Sequence, residues 1–178
     1  MTARRGWCPD VHAPMAAADG LIVRVKPPLG RLSAKAARVI AAAALRDGSG
    51  MIELTARANL QVRGLRPDSA PQFAATMVAA GLAAADPAVE RRRNVLVSPQ
   101  AGADPAIAGD PEAVAATLLG ALAMAHELEA LPGKFGWLVD GGGVASVAGS
   151  AADILIRLGP DGALVSVAGA GLVHACDV

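Results

Sequence analysis

Thr55, Arg57, Asn59, Gln61 and Arg63 recur at every second position, separated by Ala56, Ala58, Leu60 and Val62. In an extended strand that spacing puts side chains i, i+2 and i+4 on one face. Guanidinium forks and carboxamides sharing a face can hold a carboxylate or a phosphate, because arginine offers two parallel donors and a permanent charge. Arg24 and Lys26 alternate in the same way within Leu21-Ile22-Val23-Arg24-Val25-Lys26, and Glu53 is the single acid of the segment from Ile52 to Arg63. The sharper chemistry is a cationic sheet face that grips a polyanionic small molecule. An ordinary antiparallel sheet with one wet face has the same pattern, and spacing alone does not separate the two.

Two smaller cationic groups accompany it. Arg91-Arg92-Arg93-Asn94 runs directly into the apolar stretch Val95 to Val97, so one guanidinium could aim inward, or all three could be solvated. Lys134 sits in Leu131-Pro132-Gly133-Lys134-Phe135, at a corner that would fix one ammonium or merely expose it. Other chemistries lack their residues. Phe135 stands where a phosphate-binding P-loop needs Ser or Thr, and neither Gly141-Gly142-Gly143 nor Gly169-Ala170-Gly171 completes GxGxxG. His12, His126 and His174 have no ligand spacing, and no nucleophile sits in an elbow motif. Cys8 and Cys176 are too few for a structural zinc or a four-cysteine cluster, and they do not form a disulfide framework. No protein-bound metal site is expected.

The elements that must position these residues are legible in outline. Residues 1–19 read as an arm without periodicity. Leu21 to Lys26 reads as a strand stopped by Pro27-Pro28. Ser33 is a fair N-cap for a helix from Ala34 to Arg46 that ends near Gly48 and Gly50. Residues 51–65 are strand-like, as one strand or as two joined by a bend. Ser69 and Pro71 open a helix to about Ala84, with Phe73, Met77 and Val78 on one face. Strand, helix, strand, strand, helix is most of a ferredoxin-like split βαβ unit. Beyond Asp86-Pro87 come a short strand from Asn94 to Val97 and a helix from Pro111 to Ala130 capped by Asp110. Strands follow at Phe135 to Val139, Val144 to Val147, Ile154 to Leu158 and Leu164 to Val167, then an apolar run from Gly171 to Val173. The expected class is α+β, with an arm over 1–19, a half-domain over 20–85 and a second α/β region over 86–178.

The chain of 178 residues is neutral overall. The zero hides an asymmetry: residues 1–100 carry 14 of the 16 Lys and Arg but only 7 of the 16 Asp and Glu. Aromatics at 2% leave few rings to stack bases, so a nucleic-acid partner is not expected. The longest uncharged apolar stretch, Ala113 to Ala125, is too short to span a bilayer, and Arg4-Arg5 is not followed by an apolar signal region. No membrane association and a cytoplasmic location are expected.

These segments resemble the nitrite/sulphite reductase superfamily. The matching stretches are Gly20-Leu-Ile-Val-Arg24-Val-Lys26-Pro-Pro, Leu54-Thr55-Ala-Arg57-Ala-Asn59-Leu-Gln61, Arg93-Asn94-Val95 with Ser98-Pro99, and Leu131-Pro132-Gly-Lys134-Phe135. Within it, Arg5-Gly-Trp-Cys-Pro9, the Ala-Asn-Leu-Gln form of the second stretch and Gly136-Trp-Leu-Val-Asp140-Gly-Gly-Gly143 resemble the corrinoid branch of cobalamin biosynthesis. The resemblance implies an oxidoreductase with a ferredoxin-like half-domain followed by part of a sirohaem-type domain, and a partner that is a precorrin-type tetrapyrrole carrying many carboxylates. It implies that Arg57, with Asn59 and Gln61, grips those carboxylates. Arg24, Thr55 and Asn94 belong to the same stretches, and Lys26, Arg93 and Lys134 match positions around a small anionic substrate. The full-length family uses a 4Fe–4S cluster and sirohaem or another iron, which this chain alone cannot fully ligate. A second half-chain or a homodimer is a further expected partner. Gly136 replaces a lysine of the reductases, which weighs against the sulphite or nitrite branch. That branch and a non-catalytic tetrapyrrole-binding module remain the alternatives.

Overall fold

A computed structural model describes residues 8–169 and the backbone of 171–176. Arg5 to Trp7 of the opening match lie outside the described residues, as do the side chains of the Gly171 to Val173 run. The chain divides into two compact units, residues 1–91 and 92–178.

Unit 1 is a four-stranded antiparallel sheet with helices on one face. Its strands are β1 (Met15–Ala17), β2 (Gly20–Val25), β3 (Ile52–Leu54) and β4 (Leu60–Leu65), in the order β1-β2-β4-β3. Helix α1 (Ala34–Asp47) starts at Ser33, whose Oγ accepts the Ala36 N–H and so satisfies one of the first-turn donors. Helix α2 (Ala70–Ala79) ends sooner than the run to Ala84 expected from its apolar spacing. Gly81 takes φ 70°, Leu82 N–H reaches Met77 O and Gly81 N–H reaches Val78 O, a Schellman cap that closes the helix there. Val23, Val25, Leu60, Val62 and Leu65 point from the sheet into Ile40, Ala43, Ala44, Phe73 and Met77 of the helices.

Two features of this unit differ from the sequence pattern. The arm is not structureless: residues 15–17 add β1 to the edge of the sheet, and Val11 is buried in the core. The twelve-residue alternation from Ile52 to Arg63 is not one face of a strand. The chain reverses at Thr55 to Asn59, so that β3 pairs back onto β4 with Leu54 opposite Leu60. Thr55, Arg57 and Asn59 therefore stand on the turn, and only Gln61 and Arg63 remain on the strand face. Leu54, apolar by the alternation, is 87% exposed on this short edge strand.

Helix α3 (Pro87–Arg92) leads from unit 1 towards unit 2. Unit 2 contains β5 (Val95–Val97), α4 (Pro111–Met124), β6 (Trp137–Asp140), β7 (Ile154–Gly159), β8 (Gly162–Val167) and β9 (Gly171–Cys176) in one sheet of order β5-β6-β7-β8-β9. The first three strands are parallel and the last two continue as an antiparallel meander. Asp110 caps α4 by accepting the Ala113 N–H. The helix stops at Met124 rather than Ala130. Arg92, with its side chain 2% exposed, donates from Nε to Leu122 O and from Nη2 to Ala123 O, taking the carbonyls that a longer helix would use itself. Residues 144–145 form a turn and 146–147 are irregular, in place of the strand expected there. No helix among the described residues is long and apolar enough to cross a membrane.

A core alanine scan separates the hairpin from a continuous strand. Phe73→Ala, which empties a fully buried site, is expected to lower stability by about 3–5 kcal/mol in urea unfolding. Leu54→Ala is expected to change it by no more than about 0.5 kcal/mol, because that side chain lies in solvent. A large loss at Leu54 would contradict the edge placement of β3.

Candidate anion-binding site

The helix-free face of unit 1 carries Arg24, Gln61, Glu53 and Arg63. Arg24 lies opposite Gln61, and Gln61 opposite Glu53. This face is less cationic than its sequence suggests. Arg63 donates from Nε and Nη2 to the two carboxylate oxygens of Asp19, at 2.9 and 3.1 Å, and reaches Glu53 Oε2 at 3.5 Å. Gln61 Nε2 donates to the same Glu53 oxygen at 2.6 Å. The hydrogen bond from Arg63 holds the Asp19 carboxyl below the usual carboxylate range. Asp19 comes from the β1–β2 turn, so the neutralising acid was hidden in the stretch read as an arm. Gln61 and Arg63 are thus occupied within the protein.

Arg24 and the turn are different. The Arg24 side chain makes no hydrogen bond or ion pair among the described residues, and its Nε is buried without a partner. A buried N–H left unpaired loses its hydration with nothing in return, so it marks a place where an acceptor belongs. On the turn, Ala58 N–H bonds Thr55 O at 3.1 Å, Thr55 N–H bonds Asn59 O at 2.9 Å, and Thr55 Oγ1 accepts the Asn59 N–H at 3.2 Å. Thr55 therefore builds the turn. Arg57, exposed at its tip, and the half-buried Asn59 carboxamide make no side-chain hydrogen bond among the described residues. Val25 pairs with Leu60, so this turn and the loop from Lys26 to Arg31 leave the sheet at the same end. Lys26, by contrast, is buried and donates to Glu90 O at 2.7 Å.

In unit 2, Asn94 Nδ2 donates to Gly133 O at 3.1 Å and to Phe135 O at 3.0 Å, clamping the turn on both sides of Lys134. Lys134 itself is exposed, and Arg93 is half-buried beside Asn94. The inward guanidinium of the 91–93 run is Arg92, which nothing in three consecutive arginines distinguishes. A second polar centre surrounds Asp140. Buried Asp140 accepts from Ser98 Oγ, Ser146 Oγ and Val147 N–H, at 2.9–3.0 Å, and Ser98 Oγ accepts the Gly141 N–H. Asp104 accepts from Val144 N–H at 2.7 Å and Ala106 N–H at 2.9 Å. These two carboxylates take the amides that a strand over 144–147 would have paired, which is why that segment turns. Gly141 and Gly143 are required here, since a Cβ at either would meet Ile107 within 2.7 Å.

A hollow of about 650 Å³ lies between Val11–Pro14 and α2 in unit 1. Apart from His12 its lining has no ionisable side chain, so it offers no cation to a carboxylate. Nor do the residues present fit an iron–sulfur cluster: two cysteines stand against four thiolates, and no three His, Cys, Asp or Glu side chains gather among the described residues. What the geometry can do is donate: Arg24, Arg57 and Asn59 are unspent donors for carboxylate oxygens.

Residues 13–80 match the nitrite/sulfite reductase ferredoxin-like half domain. Unit 1 is therefore a half-domain of that family, with the α+β architecture just described. Over 155 residues, 86% of its length, the chain is 39% identical to precorrin-3B synthase of Sinorhizobium sp. It is also 32% identical, over 126 residues, to ferredoxin–nitrite reductase of Synechococcus elongatus. The chain spans 32% of the first relative and 25% of the second.

Acid titration tests the loop of unit 2. The amides of Val144 and then Ala106 hold the Asp104 carboxyl below its ordinary range. A depressed carboxyl stabilises the fold above its unfolded value of about 4, and this contribution is lost as the pH falls through the folded value. The gap in urea midpoint between wild type and Asp104→Ala is expected to be full near pH 6 and to shrink below about pH 4. A gap that stays constant with pH would show that the charge of Asp104 does not hold the loop.

Proposed function

We propose that this chain supplies the carboxylate-gripping part of an enzyme of the precorrin-3B synthase type, which oxygenates a precorrin-type tetrapyrrole and closes a ring lactone. The observation that carries the reading is an Arg24 Nε buried without a partner, together with an Arg57 side chain that makes no hydrogen bond among the described residues, on a half-domain of this family. A tetrapyrrole rimmed with carboxylates is the complement of such donors: each carboxylate accepts two parallel N–H groups, and the charge assists both bonds. Arg24 and Arg57 would each hold one acid of the rim, with Asn59 adding a neutral donor beside Arg57. Thr55 and Gln61 act at one remove, by shaping the turn and by holding β3 to β4. Iron–sulfur and sirohaem-type chemistry, if used, would be ligated by residues other than those described.

The nitrite reductase relative supports a second use of the same frame, reduction of a small anion. Gly136 disfavours it, since the resemblance places a substrate-holding lysine there. The greater identity to the corrinoid relative points the same way.

Uroporphyrin, a tetrapyrrole bearing eight carboxylates, is a workable probe. Fluorescence titration of the full chain is expected to give saturable binding that Arg57→Ala weakens by about ten-fold or more, the equivalent of one charged hydrogen bond. Far-UV circular dichroism and the unfolding midpoint should not move. An unchanged dissociation constant in Arg57→Ala would remove Arg57 from the site.

A further inference from the structure

Left-handed backbone is uncommon in residues other than glycine, and it clusters where function demands a strained geometry. Among the described residues it occurs at Leu29 (φ 55°) and at Ala58 (φ 54°). These two residues lie on separate loops, yet the loops come close. A Cβ built on Gly30, itself at φ 68°, would stand 3.2 Å from the Ala58 methyl. The Ala58 methyl thus fills the space that a side chain at 30 would need. Arg57, next to it, makes no side-chain hydrogen bond or ion pair among the described residues, so among them the backbone of the turn is what places it.

Resting on the proposed carboxylate-binding role of Arg57, we propose that Ala58 is the positioning residue for that guanidinium, acting through its methyl wedge against Gly30. Glycine would be the relaxed choice at a left-handed position. The methyl retained there is explained by what it touches: it stops the β3–β4 turn from swinging, and so keeps Arg57 at one distance from the acid it grips. Preorganising a long, flexible side chain in this way reduces the entropy lost on binding. Stability and binding should then respond in opposite directions to removal of the methyl, which a purely structural role would not produce.

The test uses the full chain with Ala58→Gly, Ala58→Asn and Gly30→Ala, read by urea unfolding, by ¹⁵N order parameters at Arg57 and Asn59, and by uroporphyrin titration. Ala58→Gly is expected to leave stability equal or higher, to lower the order parameters and to weaken uroporphyrin binding about five-fold, the effect of freeing roughly one residue. Ala58→Asn keeps a Cβ at the same point and tolerates the left-handed backbone, so it should bind as wild type does. Gly30→Ala should push the Ala58 methyl by a few tenths of an ångström, strain the left-handed backbone at 30 and weaken binding. Unchanged order parameters and binding in Ala58→Gly would overturn the proposal while leaving the role of Arg57 intact. If wild type fails to bind uroporphyrin, the ligand reading falls and the order parameters decide alone: a drop in Ala58→Gly sustains the wedge, and no drop refutes it.

Discussion

A one-residue slip of β2 against β4 would turn Val23 and Val25 outwards and bring Arg24 into the helices. The register of this strand pair is the constraint on which the candidate site depends, because side chains on a strand alternate with a period of two. It is held by burial: Val23, Val25 and Val62 are fully enclosed against α1 and α2. It is also interrupted at one point. Leu21 pairs with Leu65 but Val23 pairs with Val62, so β4 carries one extra residue. Gly64, at φ 67°, absorbs it. A residue with a side chain would meet Ser49 there, and the bulge returns Leu65 to the core face.

With the register set, the distribution of partners decides which polar residues are free to act. A face dense in arginine by composition becomes mostly self-satisfied once Asp19 and Glu53 close on Arg63 and Gln61. Such exposed pairs add little stability, but they do remove donors from competition for a ligand. What is left over among the described residues is a small set of donors, at Arg24, Arg57 and Asn59. The motif residues divide their work: Thr55 closes the turn, Gln61 ties the strands, Asn94 braces the loop of Lys134, and Arg57 is held out.

In unit 2 the same logic runs through carboxylates. Asp140 and Asp104 each collect hydroxyl or amide donors from a glycine-rich loop, converting a segment of apolar, strand-like sequence into an ordered turn. Buried Arg92 does the corresponding work with carbonyls at the end of α4. Each is a single charged side chain satisfying backbone groups that would otherwise need a regular element to pair them.

The sequence by itself determined what depends on neighbours along the chain: the caps at Ser33 and Asp110, the apolar face of α2, the strands read at 21–26, 154–158 and 164–167, the α+β class, and the resemblance carried by the stretch around Arg57. Local signals suffice there because caps and periodicity act within a turn or two. Tertiary structure alone decided where the chain between Ile52 and Arg63 reverses, since the alternation persists through the turn and only pairing with β4 reveals it. It also decided that Asp19 takes Arg63, that Arg92 faces inward, and that Asp104 stops a strand forty residues away. Those outcomes rest on contacts between distant segments, whose partners become definite only when the chain has been brought together.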